Sequence, residues 1–301
     1  MSKHNPVKTF LSVSACKLTR LGLRILHRGG TTLPGRSALF FDKKILEVTS
    51  KGMHIIVVTG TNGKTTTCSM IRNSLKKSDI NPLSNISGAN LLTGITAEFT
   101  ANATLLGKPK KNVAIIECDE GALKKVVPLI RPDVILVTNL FRDQLDRYGE
   151  VMHTLEEIRK GIKLVPDTTL CLNADCSLTA SLANDVPNKV YYYGIGASAV
   201  NKSDDNSDDT KTGTNDISDA KYCIKCGTEY EYDYHTYAHL GGFRCPKCGY
   251  KRMTPNLEVE TISKISSKGS DIVIAMNSPS NNSTAKNVKT KRKIHIGLPA
   301  M

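Results

Sequence analysis

The chain has no tryptophan, and aromatic residues make up only 5% of it, a scarcity that says little about function. Other absences exclude more. No apolar run reaches the roughly 18 residues of a membrane-spanning helix. The N-terminus has a basic start and an apolar stretch from Phe10 to Ala15, but Lys17, Arg20 and Arg24 break up the next turns. No small-residue cleavage site comes after it, which argues against a signal peptide. There is no surplus of acid: 41 Lys and Arg stand against 28 Asp and Glu, a net charge of +13. That balance favours acidic partners, whether nucleotides, nucleic acid, anionic lipid or an anionic metabolite, without choosing among them. An even disulfide framework is also missing. Of nine cysteines, four form two Cys-x-x-Cys pairs and five are scattered, a usage that fits a reducing cytoplasm.

What is present is a long alternation of strand and helix signals. With 301 residues and 40% hydrophobic content, the chain can bury a sizeable core in one large domain or two ordinary ones. Residues 7–27 read as an amphipathic helix, with Val7, Phe10, Leu11, Ser14, Leu18, Leu21 and Ile25 on one face. Such a helix either lies on a membrane surface or docks on the domain behind it, and docking is the expectation. A turn-rich stretch from Gly29 to Gly35 comes next. His54–Thr59 is a continuous apolar run, as in a strand buried on both faces. Helices are expected at about Lys64–Lys77, Glu120–Ile130 (stopped by Pro132) and Val151–Leu164. Further strands are expected at Asn112–Ile116, Asp133–Thr138, Thr169–Asn173 and Val190–Tyr193. The implied fold class is α/β, a mostly parallel sheet flanked by helices. Asn201–Asp219 reads as a flexible surface excursion, and residues 277–293, ending in the basic run Lys286 to Lys293, as a solvated loop. The short apolar run His295–Met301 ends abruptly, so truncation or a missing following domain is expected.

Gly60-Thr61-Asn62-Gly63-Lys64-Thr65-Thr66 sits between the first buried strand and a helix, the setting a phosphate loop needs. Its glycines allow a tight turn whose N–H groups, with the helix N-terminus, cradle an anion. Lys64 would reach the β- and γ-phosphates of a nucleoside triphosphate, and the Thr65 hydroxyl would bind Mg²⁺. The first glycine of the full motif is absent; Val58 stands there. A metal-holding acid is expected just after the second strand. Glu117 is the candidate, with Asp119 or Glu120 as substitutes and helix capping as the alternative role for all three.

Cys223-Ile-Lys-Cys226 and Cys245-Pro-Lys-Cys248 have the spacing of a four-thiolate zinc site. Four sulfurs close a tetrahedron and leave no open position, so the zinc would be structural; iron is the lesser alternative. His235 and His239 read as ordinary surface residues. Arg244, Lys247, Lys251 and Arg252, with Tyr230, Tyr232, Tyr234 and Tyr237, make base stacking conceivable. The preferred reading is a small insertion stapled by metal because its own core is too small.

Thr59-Gly-Thr-Asn-Gly-Lys-Thr-Thr66 resembles the ATP loop of the Mur ligases, which also lacks the first glycine. Asn85–Asn90, Thr138–Gly149 and Leu172–Asp175 resemble further segments of that family. The ribbon inserted in such a domain narrows the resemblance to the MurT group, the ligase-like subunits of lipid II isoglutaminyl synthases. It covers roughly residues 30–260. The resemblance implies a Mur ligase central domain at 36–200 and 255–301, an N-terminal helix and lead-in at 1–35, and a loop plus zinc ribbon at 201–254. It implies ATP-dependent amidation of the D-glutamate α-carboxylate in the lipid II stem peptide, through an acyl phosphate, with ammonia from a GatD-like glutaminase partner. Carried over by residue, Lys64 and Thr65 hold phosphate and Mg²⁺, Glu117 holds Mg²⁺ and Asn173 meets adenine. A cytoplasmic location, peripheral at the inner membrane face, goes with that substrate. Gln144 and Tyr148 stand where many Mur ligases have histidines, and no match to the family's C-terminal domain is found. Two competing readings are another Mur-like amino-acid-adding ligase and, with no helicase-type motif to support it, a nucleic-acid-binding NTPase.

Overall fold

The computed structural model describes residues 5–27, 30, 32–85, 88–141, 148–200, 220–266, 269–277 and 289–297. The excursion expected at Asn201–Asp219, and Gln144, lie outside these residues. The chain forms two compact units. The first holds Met1–Thr138, Met152–Leu170 and Asp185–Lys189; the second holds Asn139–Val151, Cys171–Asn184 and Val190–Met301.

The first unit opens with three helices: α1 (Pro6–Ile25), α2 (Thr32–Phe41) and α3 (Ile45–Thr49). Asn5 caps α1 by accepting a bond from Val7 N at 3.0 Å, and Pro6 occupies the first turn, where its missing N–H costs nothing. The helix is docked, but not through its apolar stripe. Its buried residues are Thr9, Ser12, Val13 and Cys16. Val13 and Cys16 pack with Ala38 and Ile45, and Ser12 Oγ donates to Ala38 O. The stripe of Val7, Phe10, Leu11, Leu18, Leu21 and Ile25 faces outward instead. Residues 32–35, part of the expected turn-rich stretch, begin α2. Small residues permit its contact with α5 (Leu92–Ala101): a Cβ on Gly35 would lie 1.8 Å from Thr93 O.

The core of this unit is parallel sheet. Strand β1 (His54–Thr59) leads into α4 (Lys64–Lys76), and the two-residue β2 (Leu83–Ser84) precedes α5. Strand β3 (Val113–Glu117) leads into α6 (Glu120–Ile130), and β4 (Val134–Val137) comes after it. Strand β1 pairs in parallel with β3 on one side and β4 on the other, and β2 pairs in parallel with β3. Ile55, Val57, Val58 and Ala114–Ile116 are fully buried, which explains their uninterrupted apolar runs. Parallel pairing brings the C-terminal ends of β1 and β3 to one edge, with Val58 opposite Glu117. Helix α6 carries Pro128 in its interior and closes at Ile130, with Arg131 in the left-handed region at φ 44°. The unit boundary falls within α7 (Tyr148–Lys163) and β5 (Thr169–Asn173).

In the second unit, α8 (Ser177–Ala180) comes after β5, and β6 (Val190–Ile195) leads into α9 (Ala197–Val200). A hairpin of β7 (Glu231–Tyr237) and β8 (Leu240–Arg244) stands apart from the strand set β9 (Leu257–Ser266), β10 (Gly269–Asn277) and β11 (Lys289–Gly297). Strands β6 and β9 are parallel, whereas β9, β10 and β11 run antiparallel. The basic run is therefore not a solvated loop throughout: from Lys289 onward it is strand. Its alternation explains the pairing. Lys291, Lys293 and His295 share one face, where Lys291 meets Glu260 at 2.8 Å and Lys293 and His295 meet Asp271 at 3.4 and 2.8 Å. His295, then Lys264, holds the Asp271 carboxyl down at about 2.

The close approach of Gly35 to Thr93 gives a test of the helical packing. Gly35→Val should lower the unfolding free energy by about 2–4 kcal/mol, read from urea denaturation, because backbone rather than a flexible side chain blocks the added atoms.

Candidate functional site

In the first unit, β1 ends at buried Thr59 and the chain turns through Gly60 and Gly63, at φ 116° and 82°. Open space surrounds a Cβ built on Gly63, so the conformation, not crowding, requires glycine there. Gly63 is also the N-cap of α4, and Thr67 N closes the first turn on its carbonyl at 2.9 Å. Asn62, Gly63, Thr65 and Thr66 are exposed, and Thr61 is half-buried. A helix N-terminus with its partial positive charge therefore opens directly onto an accessible loop.

Two side chains of α4 turn toward the end of β3. Lys64 Nζ donates to Gly60 O at 2.6 Å, Thr61 O at 3.2 Å and Glu120 Oε1 at 2.8 Å. Thr65 Oγ1 donates to Glu117 Oε2 at 2.7 Å. The three acids at the end of β3 thus have three different situations. Glu117 meets Thr65, Glu120 pairs with Lys64, and Asp119 caps α6 by accepting from Gly121 N at 3.0 Å. Capping is the geometry of Asp119 alone. A hydroxyl and a carboxylate 2.7 Å apart could serve as adjacent ligands of an octahedral ion, whose edge is about 3 Å for Mg–O distances of about 2.1 Å.

The role of one residue behind this pair is not visible in the sequence. Asn85 is buried, and its Nδ2 donates to Ala89 O at 2.9 Å and Glu117 O at 2.7 Å. Its Oδ1 accepts from Glu117 N at 2.9 Å. The amide therefore clamps both backbone groups of Glu117. Its sequence signals are its place directly after a short strand and at the head of the Asn85–Asn90 segment that resembles the Mur ligases, and its partner lies 32 residues away. Glu120, a substitute metal ligand by its place in the sequence, is the partner of Lys64 in the fold.

In the second unit, Asn173 is the buried last residue of β5, and its Oδ1 accepts from Asp175 N at 3.0 Å. Asp175 is a hub. It accepts from Arg252 Nε at 2.7 Å and Ile195 N at 2.8 Å. Arg252 also reaches Ile195 O and Glu258. Gly194 leaves room for the pair: a Cβ there would lie 2.6 Å from both Arg252 Nη2 and Asp175 Oδ1.

The four paired cysteines converge. Sγ atoms of Cys223 and Cys248 are 3.5 Å apart, those of Cys226 and Cys245 3.4 Å, and all four lie within 4.8 Å of one another. A tetrahedral ZnS₄ centre has S···S separations of about 3.8 Å for Zn–S of about 2.3 Å, so the set fits such an ion. Each knuckle ends on a left-handed glycine, Gly227 at φ 71° and Gly249 at 72°. Thr228, through its hydroxyl and N–H, holds the Cys226 thiol down at about 6. None of the nine cysteines forms a disulfide, and burial pushes Cys16 up to about 11 and Cys68 to about 12. Tyr230, Phe243 and Tyr250 form a small aromatic core beside the cluster. His239 is not a surface residue. It is fully buried, 3.8 Å from Cys176 Sγ and against the Phe141 ring. Three of the four tyrosines that could stack on bases are committed: Tyr230 is buried, Tyr232 bonds His239 O and Tyr234 bonds Ile195 O. Arg244 pairs with Glu231 and Asp233.

The family described as Mur ligase middle domain matches residues 58–228, more than half of the chain and inclusive of the loop, Glu117 and Asn173. The chain belongs to the Mur ligase family. Among curated Mur-type relatives, it is 36% identical over 273 residues to the lipid II isoglutaminyl synthase (glutamine-hydrolyzing) subunit MurT of Streptococcus pneumoniae (strain ATCC BAA-255 / R6), covering 89% of this chain and 57% of that protein. Identity to the subunit of the same description from Staphylococcus aureus (strain COL) is 34%, covering 85% of this chain and 55% of that one. The chain thus spans little more than half the length of these relatives. Among solved structures, MurF from Acinetobacter baumannii shares the Mur ligase fold at a TM-score of 0.51 and 12% identity, over 89% of this chain and 42% of that one.

Asn85→Ala should lower the unfolding free energy by about 2–3 kcal/mol in chemical denaturation, because it strips two carbonyls and a buried N–H of their partner at once. A loss within about 0.5 kcal/mol of zero would refute the clamp.

Proposed function

We propose that this chain is the ATP-binding portion of a MurT-type ligase subunit, which amidates the D-glutamate α-carboxylate of the lipid II stem peptide to D-isoglutamine. The similarity to two MurT subunits across 85–89% of the chain carries this reading. The loop geometry supports it. Residues Gly60 to Thr66 would wrap the β- and γ-phosphates, and Lys64 would exchange Glu120 for phosphate oxygen. Thr65 and Glu117 would hold Mg²⁺, which when bound neutralises phosphate charge. Asn173 would contact adenine. A carboxylate is a poor electrophile until one oxygen becomes part of a leaving group. Its oxygen attacks the γ-phosphorus and ADP departs, leaving an acyl phosphate. Ammonia then adds to the carbonyl carbon and phosphate leaves as the amide forms. Lys64 and the α4 N-terminus stabilise the charge that develops on the transferred phosphoryl group.

Ammonia would come from a GatD-like glutamine amidotransferase subunit in a heterodimer, in keeping with the glutamine-hydrolysing description of the relatives. In this reading, residues 36–200 and 255–301 form the ATP-binding domain behind a 1–35 lead-in, and 201–254 hold the loop and zinc ribbon. Cys223, Cys226, Cys245 and Cys248 hold a structural Zn²⁺ that staples an insertion with little core of its own. A cytoplasmic protein peripheral to the membrane suits a lipid-linked substrate, and no described helix is long and apolar enough to cross a bilayer. The commitment of Arg244, Arg252 and three tyrosines to internal partners speaks against the nucleic-acid reading.

Two measurements test this. In the subunit assembled with its glutaminase and supplied with ATP, glutamine and lipid II, Lys64→Ala should cut amidation by about 10²–10³-fold or more. Unchanged turnover, or ATP hydrolysis stimulated by DNA or RNA but not by lipid II, overturns the reading. Separately, Cys245→Ser should abolish a one-to-one zinc content by elemental analysis and unfold the ribbon, since structural zinc contributes on the order of 10 kcal/mol to such folds. Nucleotide binding should survive in that variant.

A further inference from the structure

Helix α1 has two apolar sides and docks through only one. At 100° per residue, Val7, Leu11, Leu18 and Ile25 fall within about 40° of one another, and Phe10 and Leu21 widen the stripe to roughly 100°. Thr9, Ser12, Val13 and Cys16 occupy the opposite, docked side. The outward residues are well exposed, with Val7 at 63%, Leu18 at 67% and Ile25 at 68%. Leucines and an isoleucine turned to water along the helix, while a threonine, a serine and a cysteine take the core side, reverse the usual order of a docked helix. Folding of this unit does not explain the stripe.

Cations flank it. Lys17 and Arg24 lie between the docked and outward sides, Arg20 lies on the docked side, and the three line a cleft of about 530 Å³ with Lys110, Lys111 and Glu98. Five cations face one carboxylate, and that carboxylate is engaged by Arg20 at 3.2 Å. Lys17 donates to Ala103 O and Lys111 to Pro82 O, both neutral acceptors. Burial, and behind it the nearby Lys110 ammonium, hold Lys17 below the usual lysine range. The turn that supplies Ala103 closes through an Ala103–Pro109 bridge and carries Leu105 and Leu106 exposed at 46% and 76%. An apolar stripe, a cationic flank and an apolar loop tip beside it match the requirements of an anionic bilayer surface: the cations neutralise headgroup phosphates while the leucines enter the acyl boundary. A protein partner of the same stripe would need an acidic rim around an apolar groove, and a soluble phosphate would leave the stripe in water.

We infer that α1 and the adjoining basic cleft form a docking surface for an anionic phospholipid membrane. The inference rests on this helix and cleft, not on the amidation reading. The cleft includes Leu83 at the start of β2 and Lys110 and Lys111 just before β3, at the edge where the parallel strands begin. The phosphate loop lies where they end, so docking leaves it clear.

Co-sedimentation of the full chain with vesicles tests this, comparing pure phosphatidylcholine with a mixture containing phosphatidylglycerol. Binding to the anionic vesicles, falling steeply with added salt, is expected. Leu18→Ser with Ile25→Ser should weaken it about tenfold or more. Lys110→Glu with Arg24→Glu, both exposed in the cleft, should remove most of the preference for anionic lipid. Both pairs are surface changes, so melting temperature and nucleotide affinity should hold, which separates failure here from failure of the ligase reading. Equal binding to both vesicle types, or variants that sediment like the parent, overturns the inference. So does a parent dimer in light scattering that the stripe variant dissociates, since a second copy would then cover the stripe.

Discussion

Everything at the candidate nucleotide site depends on the parallel pairing of β1 with β3. That register sets Val58 beside Glu117 and sends both strands out at the same edge. The chain leaving β1 makes the glycine turn into α4, and the chain leaving β3 supplies three closely spaced acids beside it. Slip the pairing by one residue and Glu117 would exchange its face for that of Ile116, taking the carboxylate away from Thr65. Asn85 is the local guarantee of this register. By binding both the N–H and the C=O of Glu117, it fixes the last residue of β3 where ladder pairing alone is about to end.

The parts legible in the sequence are those whose cause is local. Strands β1 and β3 announce themselves because burial on both faces demands unbroken apolar runs. The loop is recognisable because strand, glycine turn and lysine are contiguous, and the cysteine pairs because each knuckle is a four-residue object. What stays hidden is nonlocal. Asn85 acts across 32 residues and Lys64 pairs with Glu120 across 56. The outward face of α1 cannot be read from periodicity, which reports that an apolar stripe exists and not where it points. The decisive fact is the small-residue side of α1 meeting Ala38 and Ile45. Likewise, the lysines of β11 look like a solvated run until Glu260 and Asp271 come alongside. His239 seems superfluous beside four cysteines, yet it is buried against Phe141 and Cys176.

The four-cysteine segment is joined to the rest of its unit by apolar contacts, with Ala180 and Tyr192 at its aromatic core and Phe141 against Tyr237 and His239, and by polar ones. Arg252, just past the second knuckle, binds Asp175, Ile195 O and Glu258 together, and Tyr250 OH donates to Ser177 O at 3.1 Å. Buried charge pairs of this kind penalise misdocking more than they reward docking, since losing one partner strands the other without water. The four-cysteine segment is thereby held in one orientation on the ends of β5 and β6.

Strand β11 has a further consequence. Among the described residues it pairs on one side only, with β10. Its free backbone edge is the kind of template on which a strand from another molecule can grow. Arg292 stands exposed on this strand between Lys291 and Lys293, which pair with Glu260 and Asp271, and a second identical strand arriving there would bring the same charges with it. Charge placed along an edge strand in this way opposes the pairing of two identical copies.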